Sequence, residues 1–154
     1  FFRGRLLFYW QAALTSQDAA GIGDGGWDLF RLMYLHARLT SSARASDASW
    51  AAQRSSLGFS STAYASRSTS VSSNYHFLVA MSWITNRDQR PFFDLWGVTY
   101  SAAASAQVAS FGFSAAQRRF FVVPCEEQAF GAPLTHAFPV DGATAWPAAG
   151  SCPP

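Results

Sequence analysis

The chain has 154 residues and a net charge of +2; 49% of its residues are hydrophobic, 16% aromatic and only 13% charged. That is enough apolar material for one domain with a buried core, and so small a charged share implies that some apolar surface meets another part of a larger protein. All eleven basic residues are scattered arginines, which excludes the basic run of a nucleic-acid binder, and the longest apolar run (FLVAM, 77–81) is far too short for a membrane span.

In chain order, RGRLLFYWQAAL (3–14) places Leu6, Leu7, Trp10 and Leu14 at helical spacing and predicts a first helix. Polar and Gly-rich residues 15–26 break it. The run Gly21, Gly23, Gly25, Gly26 reads as a helix connector, because a phosphate-cradling loop would follow a strand and precede a Lys. A second helix is expected over about 27–39, with Trp27, Phe30, Tyr34 and Leu35 or Ala37 on one stripe. Asp28 in its first turn and His36 and Arg38 near its end suit the helix dipole. A short helix over 47–57 follows, capped by Ser46 or Asp47 and stopped by Gly58. Residues 55–73 are dominated by Ser, Thr and Ala without a helical stripe, and read as a long surface loop.

Ser73 or Asn74 caps the most apolar helix of the chain, which runs to about Ile84 and is expected at the centre of the fold. Asn86, Arg87 and Asp88 form a turn. Pro91 starts the short helix PFFDLW, where its missing N–H costs nothing, and Gly97 ends it. Ser101 caps a further helix to about Ser110, Gly112 ends that one, and Ser114 starts one more short helix through Arg119, with Arg118 and Arg119 on a solvated face. Beyond Val123, six prolines exclude long helices and leave room for short strands near 120–123 and 136–140.

The fold class that emerges is mainly α: an irregular bundle of about five to six helices over 1–123, with a Pro/Gly-rich, partly extended C-terminal tail over 124–154. Cys125 and Cys152, both in the tail, either pair across a loop, contributing about 3 kcal/mol by the chain-entropy model, or stand as two unpaired thiols. Two cysteines are too few for a structural zinc site. No signal peptide is read before the first helix.

Catalytic chemistry finds little support. A zinc peptidase needs two His one helical turn apart with an adjacent Glu, and no HExxH is present. His36, His76 and His136 lie far apart, and His36 reads as a partly exposed helix histidine. Glu126 and Glu127 sit in the tail, and no GxSxG elbow surrounds any serine. No catalytic and no metal-ligating residue is therefore assigned, and no cofactor in this chain. The polar cluster Asn86–Arg90, followed by Asp94, admits two interpretations. In the structural one, Asp88 caps the next helix and an arginine pairs with Asp94. In the functional one, Asn86, Arg87 and Arg90 hold a glycan or peptide, with Trp83 or Trp96 as an apolar platform.

Four stretches, RLLFYWQAAL, GWDLFRLMYLHARL, FLVAMSWITNRDQRPFFDLWG and YSAAASAQVASFGF, occur in this order. Together they resemble the distal helical part of the peptidase domain in enhancin-like zinc metallopeptidases, most closely the mucin-targeting, immunomodulating metalloprotease branch. The element Phe92-Phe93-Asp94-Leu95-Trp96-Gly97 is a recurrent mark of that helical subdomain, and the resemblance covers about residues 6–123. It implies bacterial export (secreted, periplasmic or cell-surface), zinc in the full-length enzyme, cleavage of O-glycosylated protein substrates, and the N-terminal half of the peptidase domain as partner. Because the matching positions are scaffold, it carries over no catalytic residue, and the chain by itself is expected to be inactive. The alternative is a non-catalytic helical module binding glycans or a partner protein. A piece of the larger enzyme should expose an apolar patch built mostly from the first helix, whereas an autonomous module should leave only scattered hydrophobes outside.

Overall fold

The computed structural model describes residues 2–71, 73–122 and 136–144. Among them are six α-helices: α1 (Phe2–Ser16), α2 (Asp28–Ala43), α3 (Asp47–Gln53), α4 (Ser73–Thr85), α5 (Arg90–Leu95) and α6 (Ala102–Ser110). Two 3₁₀ turns, Asp24–Gly26 and Thr62–Tyr64, and two short strands, β1 (Arg119–Val122) and β2 (His136–Pro139), complete the described elements. The strands pair antiparallel, with Arg119 opposite Pro139 and Val122 opposite His136. The fold is mainly α, as the sequence predicts. No described helix is long and apolar enough to cross a membrane. The expected boundary at 123/124 and both cysteines, Cys125 and Cys152, lie outside the described residues, as do Glu126 and Glu127.

Helix ends follow local chemistry. Ser46 Oγ accepts from the Ser49 amide at 3.1 Å to start α3, and Ser101 Oγ accepts from Ala104 at 3.1 Å to start α6. At α5, Asp88 Oδ1 accepts from the Arg90 amide at 3.0 Å, and Pro91 occupies the first turn. The 24–26 turn requires glycine at its end. Gly26 has φ +97°, and a Cβ there would lie 1.9 Å from the Ala13 carbonyl oxygen, so α1 and the turn touch backbone to backbone.

Helix α4 forms the centre, as expected: Leu78, Val79, Ala80, Met81 and Ser82 are all buried in succession. It packs between α2 and α6. At one end of the core, the Phe8 ring lies 5.2 Å from Phe92, 5.5 Å from Phe93 and 5.6 Å from Phe77. In the same core, Trp50, Phe59 and Tyr64 group around one another, with the Trp50 indole donating to the Tyr64 carbonyl at 2.8 Å. Residues 55–71 are thus an anchored loop rather than a loose one. Arg54 donates to the carbonyls of Phe59, Ser60 and Ser61, and Gln107 Oε1 accepts from the Ser61 amide.

Several expectations are corrected. Residues 114–118 form no helix, because their backbone is taken by a parallel bridge: Asp88 donates to the Ser114 carbonyl at 2.9 Å and Ala116 donates to Asp88 at 2.8 Å. Arg119 then enters β1, so Arg118 and Arg119 lie on no helix face. Helix α2 runs on to Ala43, four residues beyond the expected end at Leu39, while α3 stops at Gln53. Most of the stripe that signalled α1 (Leu6, Leu7 and Trp10) and the stripe that signalled α2 also face the other way, while Leu14 is buried as expected. In α1 the buried face is Phe8, Gln11, Ala12 and Thr15, and in α2 it is Leu29, Met33, His36, Thr40 and Ala43.

Candidate functional site

Turning the expected stripes outward creates the most prominent surface feature. Among the described residues, the large hydrophobic side chains left exposed are Leu6, Leu7, Tyr9 and Trp10 on α1, and Trp27, Tyr34, Leu35 and Leu39 on or beside α2. Leu6 and Tyr34 keep 61% and 68% of their surface in water. The two helices join into one face through rings: Tyr9 meets Phe30 at 6.3 Å, and Phe30 meets Trp27 at 5.8 Å. Single exposed hydrophobes are ordinary, but eight on two adjoining helices mark a contact surface. The expected patch is therefore present, with α2 contributing as much as α1.

The polar turn between α4 and α5 brings the sequence candidates together and occupies most of them. Asn86, in the left-handed region at φ +51°, turns the chain and stays exposed. Arg87 reaches back to the segment after α1, donating to Asp18 Oδ1 at 2.7 Å, while Arg119 approaches Asp18 Oδ2 at 3.4 Å. Partial burial alone would raise the Asp18 carboxyl, but the Arg87 hydrogen bond and the two arginine charges outweigh it and hold it below the ordinary value. Arg90 grips both oxygens of Asp88, at 2.7 Å from Oδ2, not Asp94 as the structural interpretation had it. There too burial raises the carboxyl and the Arg90 contacts prevail, leaving Asp88 lowered. Asp94 instead accepts from the Tyr100 hydroxyl at 2.7 Å. Burial and that carboxylate push Tyr100 up to about 12.

Trp83 completes the candidate set and is half-buried. Its indole N–H donates to the Ser56 carbonyl at 3.2 Å. A Cβ added at Gly58 would meet the Trp83 ring at 3.0 Å, so the Gly58 backbone lies against one face, and Phe111 sits 5.2 Å away. Arg87 and Arg90 are fixed by carboxylates, Trp83 by a carbonyl, and Asn86 stands outermost.

A feature missed by sequence reasoning lies on the inner side of α2. His36 is 6% exposed, buried rather than partly exposed. Its Nδ1 lies 3.1 Å from His76 Nε2 on α4, and its Nε2 lies 3.0 Å from the Leu57 carbonyl oxygen. Histidines forty positions apart are thus in contact. The signal was available in part, since His36 shares the register Leu29, Met33, Thr40 and Ala43, whose common face is buried.

These side chains do not fit a catalytic zinc ion. Among the described residues no group of three or more His, Cys, Asp or Glu converges as metal ligands, and Arg44 places a positive charge near His76. No protein-family model matches the chain. It is 40% identical over 123 residues to the immunomodulating metalloprotease of Pseudomonas aeruginosa, an alignment covering 76% of this chain and 12% of that protein. The chain is a homologue of this metalloprotease. A solved structure of the metallopeptidase IMPa in complex with T-antigen is 37% identical, with a TM-score of 0.61 over 77% of this chain and 13% of that one. IMPa from P. aeruginosa in complex with an O-glycopeptide aligns with a TM-score of 0.67 and 32% identity over 93% of this chain and 16% of that one. Metalloprotease homology thus extends over most of this chain, while the chain spans under a sixth of the length of these relatives.

Proposed function

We propose that this chain is the C-terminal helical portion of a secreted zinc metallopeptidase that acts on glycosylated, mucin-type proteins. It braces the catalytic part and supplies no zinc ligand of its own. The apolar face of α1 and α2 carries this reading: Leu6, Trp10, Tyr34, Leu35 and Leu39 gain by burial against the remainder of the same polypeptide. The metalloprotease homology supports the reaction class, and the glycan and glycopeptide complexes of the relatives support the substrate class. In the assembled enzyme, the α4–α5 turn presents Asn86 towards substrate, with Arg87, Arg90 and Trp83 holding the turn in shape.

The test is a chimera. The matching segment of the P. aeruginosa relative is replaced by this chain, and cleavage of an O-glycosylated peptide is followed with and without a chelator. The chimera is expected to cleave and the isolated chain to be inert even with added zinc. Chelator-sensitive cleavage by the isolated chain, or a folded, zinc-loaded chimera that does not cleave, overturns the proposal.

A further inference from the structure

An open cleft of about 530 Å³ runs between α2 and α4, lined by Ala37, Thr40, Ser41 and Arg44 of α2, by Val71, and by His76 of α4. Arg44 brings it a cation that no described carboxylate neutralises, because Asp47 in the neighbouring cleft is held by Arg67 at 2.7 Å. The Arg44 guanidinium is half-buried and fixed from behind: Nη2 donates to the carbonyls of Arg67 and Thr69, and the Trp50 ring lies 6.0 Å away. Its Nε and Nη1 donate to no described residue. Ser41, one turn before Arg44, adds an exposed hydroxyl to the same wall.

His76 closes the cleft from the α4 side. A backbone carbonyl only accepts, so the 3.0 Å contact with Leu57 puts a proton on His36 Nε2. Burial keeps the His36 ring neutral, and its Nδ1 accepts from His76 Nε2 at 3.1 Å. His76 Nδ1 has no described partner, and a proton taken up there breaks none of these bonds. The titratable groups facing His76 are His36 and Arg44 from α2; the loop brings the Phe59 ring, with Tyr64 behind it. Helix α6, packed on α4, carries no titratable side chain. Burial, then the His36 and Arg44 charges, lower His76 from 6.5 to about 4. A negative group set between Arg44 and His76 opposes that charge effect and favours the proton.

We propose that this cleft binds the oxyanion of an acidic sugar, a carboxylate or a sulfate ester. Arg44 Nε and Nη1 and the Ser41 hydroxyl donate to its oxygens, His76 adds a donor when protonated, and Ala37 and Val71 give the sugar ring an apolar wall. The choice of a sugar rests on the function proposed above, but binding is measured without cleavage, so either reading can fail alone.

The test is binding to the purified full chain, followed by NMR of its labelled imidazoles. The probes are the methyl glycoside of N-acetylneuraminic acid, a sulfated galactose, neutral methyl galactoside, N-acetylaspartate and inorganic sulfate, at equal ionic strength. The two acidic sugars are expected to bind saturably, to shift the His76 signals, and to bind at least about fivefold tighter at pH 4.5 than at pH 7, since binding and proton uptake are linked. His76→Phe should bind at pH 7 and lose that pH dependence. Arg44→Gln should weaken binding at least about tenfold. Ser41→Asp, which sets a carboxylate beside Arg44 from an exposed position, should do the same and decides the matter if Arg44→Gln does not fold. Undiminished binding in Ser41→Asp, equal binding of methyl galactoside, or inorganic sulfate or N-acetylaspartate bound as tightly as the acidic sugars overturns the proposal.

Discussion

Gln11 on α1 binds both backbone groups of Phe121 on β1: its side-chain nitrogen donates to the Phe121 carbonyl at 2.8 Å, and its oxygen accepts from the Phe121 amide at 2.7 Å. A side-chain amide here completes a strand edge as a neighbouring strand would, and ties the first helix to residues 110 positions later. Gln11→Leu leaves a buried amide and a buried carbonyl without partners. We expect a loss of about 2–3 kcal/mol, read as a lower urea midpoint by tryptophan fluorescence. An unchanged midpoint would show that water replaces Gln11.

Gly26→Ala should be the most damaging small substitution. It combines a positive φ with a methyl group pushed into the Ala13 carbonyl, which is backbone and can move only if α1 moves. A loss of about 3 kcal/mol or more is expected. Gly97→Ala, at φ +63° but with open space around it, should cost only about 1 kcal/mol in the same denaturation assay.

Charge on the outer face of α2 separates docking from folding. Leu35→Glu with Leu39→Glu changes only exposed positions, so the isolated chain should keep its stability within about 0.5 kcal/mol. In the chimera the same pair buries two carboxylates against the remaining polypeptide, and its thermal midpoint and activity should both fall sharply. Equal thermal midpoints with and without the pair would mean that this face is uncovered in the assembled enzyme.

The Asp88–Arg90 clamp gives the stability of the fold an acid limb. Asp88 is lowered below 3.8, so its contribution is complete above that value and is lost as pH falls below it. Asp88→Asn should remove about 1 kcal/mol at pH 7 and flatten the fall of stability in acid below 3.8. Denaturation of the wild type and the variant at half-unit pH steps checks this.

Asn86 tests the substrate-facing role of the turn. Asn86→Gly tolerates φ +51° and should preserve folding while removing the side-chain amide. In the chimera it is expected to raise KM by about fivefold, the worth of one hydrogen bond of about 1 kcal/mol, with kcat unchanged. An unaltered KM would remove Asn86 from the contact surface.

The sequence by itself determined where most helices lie and how they start. Ser46, Ser101 and Pro91 act on amides within a few residues, and glycines such as Gly97 and Gly112 reach the left-handed region without help from distant parts of the chain. Family likeness was equally legible, because it resides in the order of those elements. The tertiary structure alone decided which side of α1 and α2 faces inward. Both helices carry apolar residues around much of their circumference, so spacing finds the helix but not its buried face; packing of Phe8 against Phe77, Phe92 and Phe93 selects that face in α1, and packing against α4 selects it in α2. The same non-local packing brought His76 to His36, Asp18 to Arg87 and Ser114 to Asp88. Those pairings join residues 26 to 69 positions apart, beyond the reach of any local rule.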